Sequence, residues 1–351
     1  MKMKEDNAVE VLMNRFAHWR FLIFQLTLIL VISVFISVTV GTSLSPVDVL
    51  KIIGNELHIV SYDYPRSEHM ILFQIRIPRA VMGVFIGAAL SAAGVVMQSI
   101  FKNPMADPYI IGTASGASVG AVFSFFIPIS SYITPLFAFI GAISATLLVY
   151  NIARTGGRVP VDMLLLTGIA VSIFLNAILS FMMYMVGHDL GYIFMWLMGR
   201  VDEPPWENVL IVAAAVCACI TPLFMFTRDL NALLIGEETA QTLGISVESV
   251  KKTLLFLSAL LTASAVAFTG TIGFVGLIIP HITRIFVGAD HRILLPASAL
   301  MGGIFLVWAD MLVRFLSSVL PYGEMPIGVI TSFFGAPFFI YLLQKNRKPA
   351  I

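Results

Sequence analysis

An all-α polytopic membrane protein with about ten transmembrane helices is the fold this sequence predicts. Three observations carry that reading. Of 351 residues, 58% are hydrophobic and only 12% charged, against about 25% charge in soluble domains. The apolar residues fall into runs of membrane length. The Lys and Arg residues cluster on one side of the resulting topology, as the positive-inside bias requires.

The spans follow in order. Phe21–Val40 comes first; its apolar stretch is too long for a cleaved signal peptide and suits a retained helix. A polar segment rich in turn residues, Gly41–Gln74, precedes Ile77–Ile100, Tyr109–Ile127, Ile133–Ala153, Met163–Val186 and Val209–Phe226. Four more spans are Thr253–Gly270, Gly273–Val287, Ile293–Leu312 and Ile327–Leu343. The eighth is short and holds Pro280, so it does not cross as a simple straight helix. The chain reads as one membrane domain over 21–345, with a polar segment 1–20 before it and a tail 346–351 after it. Cys217 and Cys219 lie two apart in one run, point to different helix faces and act as packing residues. The net charge of +1 gives no sign of a nucleic-acid partner.

Between the sixth and seventh spans lies a polar island, Arg228–Lys252, which hydrocarbon would reject. Leu233, Gly236, Ala240 and Leu243 recur at spacings that align small and apolar side chains on one helix face. Gly244 offers a left-handed stop, and Ser246 is placed to cap a second helix entered through Glu248. Two readings stand: an ordered loop, or a structured helix pair (about 229–250) that docks a soluble partner.

With the amino terminus inside, fifteen of the 21 Lys and Arg residues fall on the cytoplasmic side and six outside. Both termini and the island are then cytoplasmic. Arg76, Arg79 and Arg314 fall outside, where arginine's planar fork suits carboxylates on a partner; interfacial snorkelling or a local ion pair is the alternative. Asp310 and Arg314 form a favourable i, i+4 pair. In the link Asn103–Gly112, Pro104 and Pro108 stop helices while Asn103 and Asp107 cap or turn. His281 and His291 have no carboxylate or Cys set around them, and His188 with Asp189 reads as a polar rim.

Three stretches together resemble the permease subunits of prokaryotic ABC importers for iron–siderophores, haem and cobalamin, the FecCD-type family. They are Gln74–Ser118, Gly236–Gly244 (GEETAQTLG) and Gly270–Arg314 continued by Glu324–Lys345. The resemblance implies a type II importer permease fold, homodimeric about a central pathway, in the prokaryotic cell membrane and surrounded by its lipid. It implies that Leu233, Gly236, Glu237, Glu238, Ala240, Leu243 and Gly244 meet a cytosolic ATPase, with the glutamates facing its basic groups. Two such ATPase subunits use the ATP and Mg²⁺; this chain needs no cofactor or metal of its own. It further implies that Arg76, Arg79 and Arg314 receive an extracytoplasmic substrate-binding protein, and that the fifth span lines the pathway with Thr167, Ser172, Asn176 and Ser180. Where some relatives have small hydroxyl residues at the inner gate, Val161 and Asp162 stand here.

The implied activity is ATP-driven import of a metal chelate, with ferric siderophore leading. No GxxxxGK[ST] phosphate loop is present, so the chain is not expected to hydrolyse ATP by that route. The rival is a stand-alone ion-coupled secondary transporter, which needs an ionisable group inside the membrane. Asp310 is the one serious candidate, and Arg314 offers it a partner.

Overall fold

The computed structural model describes residues 2–41, 44–127, 133–187, 190–320 and 323–345, with side chains described from Phe16 to Gln344. His188 and Asp189 lie outside the described residues.

The chain folds into helices named here in order: α1 Lys2–Thr39, α2 Pro46–Glu56, α3 Arg66–Met70, α4 Ile77–Ile100, α5 Thr113–Ser124, α6 Thr134–Ala153, α7 Val161–Val186, α8 Leu190–Leu197 and α9 Trp206–Met225. There follow α10 Thr227–Ile235, α11 Glu237–Thr242, α12 Val247–Thr269, α13 Val275–Val287, α14 His291–Val319 and α15 Ile327–Lys345. Among the described residues, eight helical stretches are long and apolar enough to cross a membrane, and α13 is a shorter apolar helix. The expected third span is shorter than its apolar run: α5 has 12 residues, because Pro108 and the left-handed Gly112 delay its start. At 1.5 Å per residue that is about 18 Å, less than the hydrocarbon thickness.

The polar segment after the first span is not simply turns. Ser45 and Asp48 close a capping box that starts α2. The second span begins well before Ile77, since α3, a π-helical turn over Ile71–Arg76 and α4 run continuously from Arg66 to Ile100. Pro78 has no N–H to give at the start of α4. The Ile77 N–H reaches back five residues to the Leu72 carbonyl, which widens the turn and lets the helix continue.

The core is built around α4 and α14, which run antiparallel. At their crossing Gly87 faces Gly302, and a Cβ on either would overlap the other's carbonyl. Helix α4 also meets α13, where a Cβ on Gly94 would overlap the Gly276 carbonyl and one on Gly276 would press on Pro108 and the Leu90 carbonyl. Small residues at helix crossings let backbones approach closely, which is how membrane helices gain packing energy.

Candidate functional site

Polar side chains gather at the two ends of the α4–α14 pair. Arg79 and Ser99 are separated by twenty residues of α4, about 30 Å of helix.

At the end nearest α2, Arg79 donates from Nε to Asp310 (3.0 and 3.2 Å) and through both Nη atoms to Glu324 (3.1 and 3.0 Å). Arg314 donates from Nε to Asp310 Oδ2 at 3.0 Å. Its remaining donors reach the Val40 carbonyl, the Ser37 carbonyl and the Ser37 hydroxyl at 3.0, 2.9 and 2.6 Å. The carboxyl-terminal turn of α1 thus gains partners for its free carbonyls and a cation at the negative end of its dipole. Two guanidinium groups and two carboxylates neutralise one another across α1, α4, α14 and the loop before α15.

For two of the three arginines expected at a docking surface, the structure has the alternative, a local ion pair. Arg79 is 6% and Arg314 8% exposed, and their donors are already engaged inside the chain. Arg76 stands apart: it is half-buried, donates from Nη2 to the Gly41 carbonyl, and leaves its buried Nε without a partner. The expected Asp310–Arg314 pair is present, with Arg79 as an additional partner that sequence distance concealed. Glu324 lies outside the spans. Burial alone would raise its carboxyl, but the hydrogen bonds and charge of Arg79 outweigh that and hold it below the usual range.

At the opposite end, α10 and α11 form the polar island. Gly236 is extended and separates them, so Leu233, Gly236, Ala240 and Leu243 do not share one helix face. Leu233 and Ala240 are buried in the chain's own core, whereas Ile235, Glu238, Leu243 and Gly244 are exposed. Glu237 is not free for a partner: its Oε1 lies 2.7 Å from the buried Lys251 Nζ. Gly244 has the left-handed backbone expected of it (φ +83°). Ser246 makes no side-chain cap, and the expected second island helix is the first turns of α12.

A buried chain of hydrogen bonds ties this island to the bundle. Asn231 of α10 accepts through Oδ1 from the His291 N–H at 2.9 Å and meets His291 Nδ1 at 2.7 Å. The Asn231 amide donates to Asp290 at 2.8 Å. The other ring nitrogen, Nε2, lies 2.5 Å from the Ser99 hydroxyl at the end of α4. Because Asn231 Oδ1 accepts only, the proton between it and the ring belongs to Nδ1. The sequence reading gave His291 no part; its partners lie in two other helices.

A cleft of about 750 Å³ opens between these two ends. Its polar lining comes from Tyr109, Ser115, Ser118, Asn176, Thr271 and Ser332. The Tyr109 hydroxyl holds one wall by donating to the Ile272 carbonyl (3.0 Å) and accepting from the Ile272 N–H (3.2 Å). Of the four expected pathway residues, only Asn176 lines this cleft. Thr167 is buried beside Gly168, where α7 touches the Ile110 backbone, and Ser172 faces Gly112. Ser180 donates to the Asn176 carbonyl at 2.9 Å. Asn103 and Asp107 cap their turns as expected, accepting from Met105 and Tyr109 N–H groups at 2.9 and 2.8 Å.

Comparison with known proteins adds to this geometry. The sequence pattern of the FecCD transport family matches residues 29–345. The cobalamin import system permease protein BtuC of Halobacterium salinarum is 43% identical over 294 residues, 83% of this chain and 78% of that protein. The Fe(3+)-citrate import system permease protein YfmD of Bacillus subtilis is 37% identical, covering 94% of this chain and 96% of its own. A solved metal-chelate type ABC transporter in an inward-facing conformation superposes with a TM-score of 0.81 at 33% identity, over 92% of this chain and 98% of that one.

Proposed function

The chain belongs to the FecCD transport family, and from that premise we propose that it is the membrane-spanning permease subunit of an ABC importer carrying a metal chelate into the cytoplasm. Its fold is that of a type II ABC importer permease. In this reading two copies enclose the pathway, two cytosolic ATPases supply the energy, and an extracytoplasmic binding protein delivers the cargo. The α10–α11 end, which carries the basic excess, faces the cytoplasm; the Arg79–Asp310–Arg314–Glu324 network lies at the outer mouth.

The observation that carries the proposal is the exposed edge of α10–α11, with Ile235, Glu238, Leu243 and Gly244 facing water from a bundle otherwise made for lipid. An apolar pair exposed beside an acid is what a protein partner covers. Its connection through Asn231, His291 and Ser99 gives ATPase movement a rigid route into α14 and α4. The cleft supplies small hydroxyl and amide groups but no charged side chain, which suits a large cargo that must be released as well as received. Ferric siderophore is the cargo we propose, given relatives named for iron–citrate, hemin and iron–hydroxamate import.

Asp310 weighs against the ion-coupled alternative. Both its oxygens are engaged by two arginines, so it is already neutralised where a carrier would need a free binding group.

The test is reconstitution with the cognate ATPase and binding protein in liposomes. Radiolabelled ferric siderophore, haem, cobalamin and molybdate are offered in turn. Uptake of a chelate that requires ATP on the cytoplasmic face is the expected result. Uptake without the ATPase, driven by a proton or sodium gradient, would overturn the proposal.

A further inference from the structure

A second pocket, of about 250 Å³, lies between α6 and α12 at the end of the bundle that carries α10. We propose that it binds the headgroup of an anionic phospholipid. Arg154 and Lys252 line it together with Tyr150 and Asn151. Among the described residues none of these four side chains has a hydrogen bond or ion pair, and no carboxylate lines the pocket. The neighbouring Lys251 differs, being buried and paired with Glu237 and Glu248.

The arrangement along each helix matches an amphiphile. On α6 the series Leu147, Tyr150, Asn151, Arg154 runs up one face toward the helix end. On α12 Lys252 stands in the second turn, with Leu255 and Phe256 one turn deeper. Each wall therefore places a cation at the rim and apolar carbon about 5 Å further in. Leu147, Leu148, Ile152 and Phe256 are all exposed, so the deeper part opens to the surface that meets acyl chains. A free phosphate would use the cations and leave the apolar wall bare; a phospholipid uses both. Basic pockets between helices at the cytoplasmic interface are where anionic headgroups are held. The pocket lies away from the 750 Å³ cleft, and none of its lining residues is shared with it.

The test is native mass spectrometry of the delipidated, detergent-solubilised full chain titrated with phosphatidylglycerol, phosphatidylcholine or inorganic phosphate. It requires neither ATPase nor transport, so its outcome is separate from that of the proposed function. Wild type should retain phosphatidylglycerol at about tenfold lower concentration than phosphatidylcholine, and Arg154→Gln with Lys252→Gln should abolish the difference. Arg154→Lys with Lys252→Arg should restore it, and Phe256→Ala should weaken it with both charges intact. Arg76→Gln, at the other end, should leave it unchanged. Equal retention by wild type and the double Gln variant would overturn the site. So would competition by inorganic phosphate at the concentration at which the lipid binds.

Discussion

Asn231 and His291 lie sixty residues apart, and one side-chain oxygen of the first meets both the backbone N–H and the ring Nδ1 of the second. The far side of the same ring reaches Ser99, so one imidazole joins α10, α14 and α4. A buried group left without its partner costs about 1–3 kcal/mol.

His291→Ala should therefore lower thermal stability, and it should also lower the amount of substrate moved per ATP in the reconstituted importer. Ser99→Ala, a smaller change, should lower the transport-to-hydrolysis ratio with little loss of stability. A purely structural role predicts the ratio unchanged in every variant that folds, which makes the ratio the deciding measurement.

Asp310→Asn keeps the shape of the side chain but leaves two buried guanidinium groups with one fewer negative charge. Breaking a buried pair from one side costs about 3–5 kcal/mol, so this variant should unfold at clearly lower denaturant concentration. Arg76→Gln, outside the network, should unfold near wild type.

Glu324 gives the Arg79–Asp310–Arg314–Glu324 network a dependence on pH. Its folded pKa lies below the ordinary value of 4.5. Its contribution is therefore fully present above about pH 4.5 and is lost as pH falls through the lower folded value. The stability deficit of Glu324→Gln relative to wild type should be constant near neutrality and shrink below that point. A deficit unchanged down to pH 3 would mean that the carboxylate charge contributes nothing to the stability of this network.

At the α10–α11 edge the structure reverses the obvious choice of variants. Ala240→Leu adds volume to a fully buried site and should destabilise the chain by about 1–3 kcal/mol. Leu243→Glu changes an exposed residue and should leave stability alone while reducing co-purification of the ATPase. Retained association in Leu243→Glu, at unchanged stability, would show that the partner sits elsewhere.

Most of the long spans were legible because hydrocarbon selects length and composition, properties of consecutive residues; the starts of the second and third were not, being set by the π-helical turn before Pro78 and by Pro108 with Gly112. The capping box at Ser45 and Asp48 is equally local but was missed, because the turn-rich composition around it pointed to loop. Asp310 and Arg314 were found as a pair because four residues on one helix bring side chains together. Arg79, 231 residues earlier, and Glu324 were not, since only the packing of α4 on α14 unites them. The same limit hid the Ser99–His291–Asn231 chain. The small-residue face was misread for a different reason: helical periodicity was carried through Gly236, where the backbone is extended and the phase is lost.

The α4–α14 pair is fastened near both ends by polar networks and closed at its crossing by Gly87 and Gly302. Two rods joined at three points along their length cannot slide past each other without breaking one of the joints. The freedom left to them is to rock together. For a shaft about 30 Å long pivoting near its centre, a 10° swing carries each end about 2.6 Å, in opposite directions. A displacement at the Ser99 end of the pair is then expected at the Arg79 end with equal size and reversed sense, as on a seesaw. Paired spin labels at the two ends should shift together on ATP binding; a shift at one end alone would show that the seesaw bends.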